Sequence, residues 1–428
     1  MRSAEFLRAK AAEPMTIDRL SRNLGVLRQG AAILTAFTLP LSTSAQAIAV
    51  SIFALLALLT LDRARLAATL RTGPALIPLA LFVLMLASVL WSAEPLGRAL
   101  KGVEPYAKLL LIPLVMATAF TPRQALQIGY GFLAACLIAL ALSWASLLWP
   151  SGPWDWFRAT GVPFKDNAVQ SGCFALSAFG LAINAIRIWS RDNARRALAM
   201  IVLALLFFFD IFFISVSKTG LLMALALLAL VLVHVGGWRR ALLIALPAML
   251  VIAVVLWSSA AVQVRVVEFS SDMRGERSDI STDARLDFWK KAAGFVEQAP
   301  LLGHGAGSIE GLYQSLEATR PSPIGWALRD PHNQFFAVAL QTGLVGGILL
   351  LAMWATHFIL FVGRDFARII GQAIVLQNVL GSLFNSHLSA VTQGMLYCLA
   401  VGLLGAVIRD APLPDRLAAG RVVDPASA

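Results

Sequence analysis

Long apolar runs alternate with short polar segments over almost the whole chain. Runs centred near Leu34, Leu55, Leu84, Leu111, Leu137, Ala178, Leu205, Leu227, Val251, Leu349, Val379 and Val401 each approach the ~20 residues a helix needs to cross roughly 30 Å of hydrocarbon. The pattern predicts an all-α polytopic membrane protein with about twelve transmembrane helices, and an even number puts both termini on one side. The runs divide the chain into an N-terminal tail (1–28), nine helices (29–261), one long polar loop (262–333), three helices (334–408) and a C-terminal tail (409–428).

Composition agrees with this pattern. Of the 428 residues 58% are hydrophobic and 14% charged, and the mean hydropathy is +0.76; soluble domains are about half apolar and a quarter charged, so the excess must face lipid. The net charge of +11 would raise nucleic-acid binding in a soluble protein. Here the basic residues sit in short segments between apolar runs, without a basic stripe interleaved with aromatics, so nucleic acid is excluded as a partner.

Charge placement tests the count. With the N-terminus in the cytoplasm, 21 of the 35 Lys and Arg residues fall on cytoplasmic segments, six on short outer segments and eight on the long loop. A miscounted helix would invert every later segment and scramble that bias. Met1–Leu27, with Arg2, Arg8, Lys10, Arg19 and Arg22, is too polar for a signal-peptide core and reads as a cytoplasmic tail before an uncleaved helix. Cys136, Cys173 and Cys398 lie singly inside apolar runs and read as packing.

The loop of roughly 70 residues is too long for a connector and too short for a separate enzyme domain. Within it, Leu286, Trp289, Ala293 and Val296 recur at helical spacing, with Thr282 as N-cap and Lys290 and Lys291 on another face. That is an amphipathic helix, lying on the membrane surface or packed on other parts of the loop.

Four places at the outer side could carry chemistry. Ser215-Val-Ser-Lys-Thr-Gly220 puts Lys218, with Ser217 beside it, in a tight turn at a helix mouth, as a held cation or a snorkelling one. Asp330-Pro-His-Asn333 fixes His332 at the top of a helix, where a neutral imidazole can take a proton from a hydroxyl; Asn333 binds substrate or caps the helix. Arg265 and Arg285 in the loop offer planar forks for phosphate, or else pair with Asp279, Asp283 and Asp287. In Pro300-Leu-Leu-Gly-His-Gly-Ala-Gly-Ser308, Gly303 and Gly305 either cradle an anion or make a plain turn, and His304 is a second candidate base. Asp210, alone in an apolar stretch, is expected to pair with Lys218. No Asp-x-Asp, Walker or dinucleotide glycine motif occurs, so neither metal nor cofactor is expected.

In order and spacing these motifs resemble the O-antigen ligase and polymerase superfamily. The resemblance spans Ser215 to Gly347 and rests on the Ser-Val-Ser-Lys-Thr-Gly turn, Arg285-x-x-x-Trp289, Pro300-Leu-Leu-Gly-His-Gly305, and Pro331-His-Asn333 before the glycines at 343, 346 and 347. Many relatives carry arginine where this chain has Lys218. The resemblance implies an O-antigen ligase of the bacterial inner membrane, working at the periplasmic face as a monomer or weak dimer. Its donor would be a polysaccharide on undecaprenyl pyrophosphate and its acceptor the lipid A core, both lying in membrane lipid. His332 would be the base, with Arg265, Arg285 and Lys218 stabilising the leaving pyrophosphate; Asn333, Gly303, Gly305, His304 and Ser217 would contact substrate. A polymerase and a protein O-oligosaccharyltransferase are alternatives within the superfamily. A secondary transporter or flippase is the alternative outside it, predicting mid-membrane ionisable residues and broken helices.

Overall fold

The computed structural model describes residues 17–159, 161–190, 193–258, 282–319 and 330–410. The protein is all-α, and no strand occurs among the described residues. Its helices are α1 (Ile17–Thr38), α2 (Thr43–Leu59), α3 (Arg63–Leu70), α4 (Gly73–Ala87), α5 (Leu96–Val103), α6 (Leu111–Ala117), α7 (Pro122–Leu148), α8 (Asn167–Ile188) and α9 (Ala194–Phe209). They continue with α10 (Lys218–Ser258), α11 (Thr282–Gln298), α12 (Ser308–Thr319), α13 (Gln334–Leu360), α14 (Phe366–Phe384) and α15 (Val391–Asp410). Every predicted apolar run falls on helical backbone, and α1 begins within the stretch expected to be tail.

Eight of the described helices are individually long and apolar enough to cross a bilayer, or nine if α2 and α3, bent by 107° at their junction, count as one span. The run around Leu34 lies on the unbroken 22-residue α1, which carries Asp18, Arg19, Arg22 and Arg28, and the remaining runs lie on helices that are bent, short or interrupted. The run around Leu111 is a mosaic of α5, a 3₁₀ segment at Glu104–Leu110 and α6, because Pro105 and Pro113 remove amide donors from the regular ladder. The run around Val251 follows a break at Gly237 in α10, where φ is 72° and ψ 166°, backbone essentially reserved for glycine.

Burial shows how α2 meets lipid. Ile48, Ile52, Leu55 and Leu59 form an exposed stripe, while Gln46, Ala49, Phe53 and Ala57 form the buried one. The pattern is that of a soluble amphipathic helix with the polar face replaced by an apolar one. The core gathers around α8, most of whose residues are buried.

Hydrogen bonds sort the helix ends into two faces. On one, Arg28 reaches Thr60 at 2.8 Å and Arg65 pairs with Asp410 at 2.8 Å; His357 reaches the Pro74 carbonyl at 2.8 Å, and Arg187 stacks on Phe366 at 5.7 Å. On the other, Gln46 bonds the Val391 carbonyl at 3.4 Å, Asn167 bonds that of Val216 at 3.0 Å, and Lys108 bonds those of Ser389 and Ala390 at 2.9 and 2.7 Å. The arginine-rich face collects segments read as cytoplasmic from charge. The second face collects those read as outer, including an aromatic cluster in the 149–166 connection, with Trp149 at 6.0 Å from Trp154 and Trp156 at 5.9 Å from Phe164.

The loop helix α11 lies at this second face and packs inward. Its buried stripe is Phe288, Ala292 and Phe295, against Tyr313 of α12 and Leu340 of α13. The expected stripe of Trp289, Ala293 and Val296 is therefore one residue out of phase. The reason lies in what covers the helix: its face is chosen by α12 and α13, whereas Trp289 flanks the contact, 6.3 Å from Phe384. Lys291 pairs with Asp287 at 2.8 Å and Glu317 at 2.9 Å, joining α11 to α12.

Candidate functional site

Asp330-Pro-His-Asn333 enters α13 through a tight Asx-type turn. Asp330 Oδ1 accepts from the His332 amide at 2.9 Å and from the Ser386 hydroxyl at 2.5 Å. His332 takes φ 52°, the only positive value at a non-glycine among the described residues, a conformation that costs on the order of 1–3 kcal/mol and persists only where the surroundings dictate it. Three segments do so here. Asp330 holds the backbone, Asn385 Oδ1 lies 3.4 Å from His332 Nδ1, and the Phe288 ring of α11 stacks on the imidazole with centroids 6.4 Å apart and planes at 29°. Asn385 Oδ1 also accepts from the Ser386 amide at 3.1 Å, so it presents an acceptor to Nδ1, and in the neutral ring that network assigns the donor role to Nδ1 and the acceptor role to Nε2. Nε2 makes no hydrogen bond among the described residues.

Asn333 is the N-cap. Its Oδ1 accepts from the amides of Phe335 and Phe336 at 2.9 and 3.2 Å, and its Nδ2 donates to the Leu383 carbonyl at 3.1 Å, meeting donors a helix start leaves unpaired. Next to it, buried Gln334 and Tyr106 and half-buried Ser389 share a hydrogen-bonded cluster, with Gln334 Nε2 3.0 Å from Ser389 Oγ.

The turn at 215–220 sits against α8. Ser217 caps α10 by accepting from the Gly220 amide at 2.9 Å, Ser171 donates to the Ser215 carbonyl at 3.0 Å, and Lys218 is exposed at the first position of α10. Asp210 is buried, and its oxygens accept from the hydroxyls of Ser143 and Ser215 at 2.5 and 2.6 Å.

Pro300–Ser308 splices into a break in α13. At Gly343, with φ 66° and ψ −167°, the helix leaves helical geometry. The loop fills the gap: His304 N donates to Leu340 O at 2.8 Å, Gly305 N to Gln341 O at 3.0 Å, and Leu344 N to Pro300 O at 2.8 Å. Gly303 N donates to Ala299 O at 3.1 Å, and His304 Nε2 lies 2.8 Å from the Phe295 carbonyl. The amides at 303–305 thus serve protein carbonyls, and the role seen for Gly303 and Gly305 is close approach; a Cβ on Gly303 would stand 2.6 Å from the Gln341 backbone.

Arg285 is a helical position of α11, three residues before Phe288 and so one turn from the ring on His332. Arg265 lies outside the described residues.

Two groups went unnoticed in the sequence. His387 is buried below the 385–390 turn, its Nε2 without a hydrogen bond among the described residues; burial pushes it down to about 4 against an opposing pull from Asp166. Lys165, beside Asp166, has its ammonium buried without a hydrogen bond among the described residues, and burial lowers its pKa. Two contacts tie turns together at this face: His332 lies at Asn385 of the 385–390 turn, and Asn167 donates to the carbonyl of Val216, two residues before Lys218. His304 lies further along α11, against Phe295, two turns from the Phe288 ring that stacks on His332. A cavity of about 1310 Å³ opens toward the arginine-rich face, and none of the expected site residues lines it.

A polytopic membrane protein with a histidine in strained backbone at the entry to one of its long apolar helices is the class these features define. Residues 203–351, a little over a third of the chain, match the family model of O-antigen ligases. The match supports the O-antigen ligase superfamily, whose members are glycosyltransferase-like ligases and polymerases. It takes in Lys218, Arg265, Arg285, His304 and His332. No curated protein matches the chain.

Proposed function

We propose that the chain is an O-antigen ligase, transferring polysaccharide from undecaprenyl pyrophosphate to a lipid A core sugar at the periplasmic face of the bacterial inner membrane. The observation that carries the reading is His332, held in a costly backbone conformation by three segments with Nε2 uncommitted. Strain of this kind concentrates where geometry serves chemistry.

In this reading Nε2 takes the proton of the acceptor hydroxyl as its oxygen attacks the anomeric carbon. The bond from that carbon to the pyrophosphate oxygen breaks on the opposite side, so configuration inverts, and the pyrophosphate leaves with the bonding pair. Its developing charge is stabilised by Lys218, Arg285 and Arg265. Pyrophosphate is already a good leaving group, so the reading needs no metal. Both substrates are anchored in the bilayer, which supplies part of the alignment that binding must otherwise provide.

The test is His332→Ala and His332→Gln in full-length protein with expression verified. Loss of about 10²–10⁴-fold in polysaccharide attachment is expected; unchanged attachment removes His332 as the base. Product analysis separates ligase from polymerase. Loss of a ligase leaves lipid-linked polymer and an uncapped core, whereas loss of a polymerase leaves a core bearing one repeat.

A further inference from the structure

The large cavity plays no part in the chemistry proposed above. It is a slot between α1, α7, α8, α14 and α15 that follows α15 from Leu396 to Asp410, about 21 Å at 1.5 Å per residue. Its 1310 Å³ exceeds the roughly 300–1,000 Å³ of small-molecule pockets. The wall is dominated by Leu, Ile, Phe and Ala side chains. Water gains nothing from such a surface, so an apolar chain is the occupant it favours.

The mouth specifies the polar end of that occupant. Its two carboxylates are already neutralised: Asp365 pairs with Arg368 and caps α14, and Asp410 pairs with Arg65. Two guanidinium groups remain without an ion pair among the described residues. Arg28 donates only to the neutral oxygens of Thr60 and Ala119, at 2.8 and 3.1 Å, with its Nε buried and unbonded among the described residues. Arg364 is exposed at the rim. A long apolar slot ending in two uncompensated arginines complements an anionic amphiphile, since arginine's planar fork suits phosphate oxygens.

We infer that this slot binds an anionic glycerophospholipid of the leaflet on the arginine-rich side, its acyl chains along α15 and its phosphate at Arg28 and Arg364. The site is separate from the transferase reading and does not depend on it.

The experiment is native mass spectrometry of the full-length protein in detergent, titrated with dioleoylphosphatidylglycerol or dioleoylphosphatidylcholine. The first phosphatidylglycerol binds about fivefold more tightly than phosphatidylcholine for each engaged arginine, and Arg364→Glu removes its share of that preference. Gly129→Trp provides a second arm. Gly129 lines the slot, and a Cβ there would meet nothing within 4 Å, so the indole enters open space and blocks the first lipid while the lipid-free unfolding midpoint stays put. Equal affinity for the two lipids overturns the inference, as does retention unaltered by both variants. Displacement of phosphatidylglycerol from the slot by a polyprenyl phosphate overturns it as well, reassigning the space to the donor's chain. If Gly129→Trp does not fold, the Arg364→Glu comparison decides alone.

Discussion

Replacing Gly343 by alanine isolates the splice that holds α11 in place. The added Cβ would stand 2.1 Å from the Leu301 carbonyl oxygen and 2.2 Å from its carbon, both backbone atoms that cannot turn aside. At φ 66° and ψ −167° alanine also enters a region where a side chain costs about 1–3 kcal/mol. Overpacking against backbone adds about 1–3 kcal/mol, and displacing the loop weakens the bonds from His304, Gly305 and Leu344. Together the loss is about 3–6 kcal/mol, a large share of the ~5–15 kcal/mol typical of a folded domain. Trp91 reports on the event directly, because its indole N–H donates to the Leu302 carbonyl at 3.0 Å. Gly343→Ala should lower the unfolding midpoint and shift Trp91 emission toward that of a solvated indole. In the proposed function it should also reduce attachment, since α11 presents Phe288 to His332. Gly294→Ala, where a Cβ meets nothing within 4 Å, is the control and should change stability by no more than about 1 kcal/mol, in the favourable direction. A Gly343→Ala protein with native emission, midpoint and activity would refute the reasoning.

Three further outcomes follow from particular contacts. His387 titrates at about 4 in the folded protein against 6.5 when free, so its contribution to stability is complete above pH ~6.5 and is lost as pH falls to ~4, by about 3 kcal/mol in all; His387→Gln should flatten that acid limb in thermal unfolding. In the proposed function, Asn385→Ala releases the His332 ring and should cut kcat toward the lower end of the ~10²–10⁴-fold a positioned base supplies, with little change in KM and no further loss when combined with His332→Ala. Lys108→Met strands the Ser389 and Ala390 carbonyls, costing about 1–3 kcal/mol in the unfolding midpoint without altering the pH profile of activity.

Lipid-facing and core helices are legible in the sequence because hydrophobic content alone decides them; each run from Leu34 to Val401 lies on helix. Short helices are less so. Leu96–Ala117 changes geometry within one apolar run, and α3, bent by 107° from α2, begins in an Asp- and Arg-bearing junction that reads only as a polar connection. For α11 the period was readable and the phase was not, because only the partner helices decide that Phe288 rather than Trp289 turns inward. At the site, His332 stood out through its Pro-His-Asn setting, while Asn385, Ser386 and His387 did not. Those residues sit in an ordinary polar turn, and they gain meaning only once folding sets that turn against Asp330 and His332. The glycines at 303 and 305 were visible as special, but the carbonyls that claim the neighbouring amides are 36 residues further along the chain.

The tryptophan-rich connection between α7 and α8 has a mechanical corollary. Indole rings settle at the level of lipid headgroups, and arginines hold the opposite rim. The 20 residues of α15 make a rod of about 30 Å, equal to the hydrocarbon it must span. The molecule is thereby pinned at two depths, and the height of the imidazole above the acyl region is fixed by the protein itself. In the proposed function, bilayers of shorter or longer lipids would move the lipid-anchored substrates up or down past that fixed level, so turnover should peak at one membrane thickness and decline on either side.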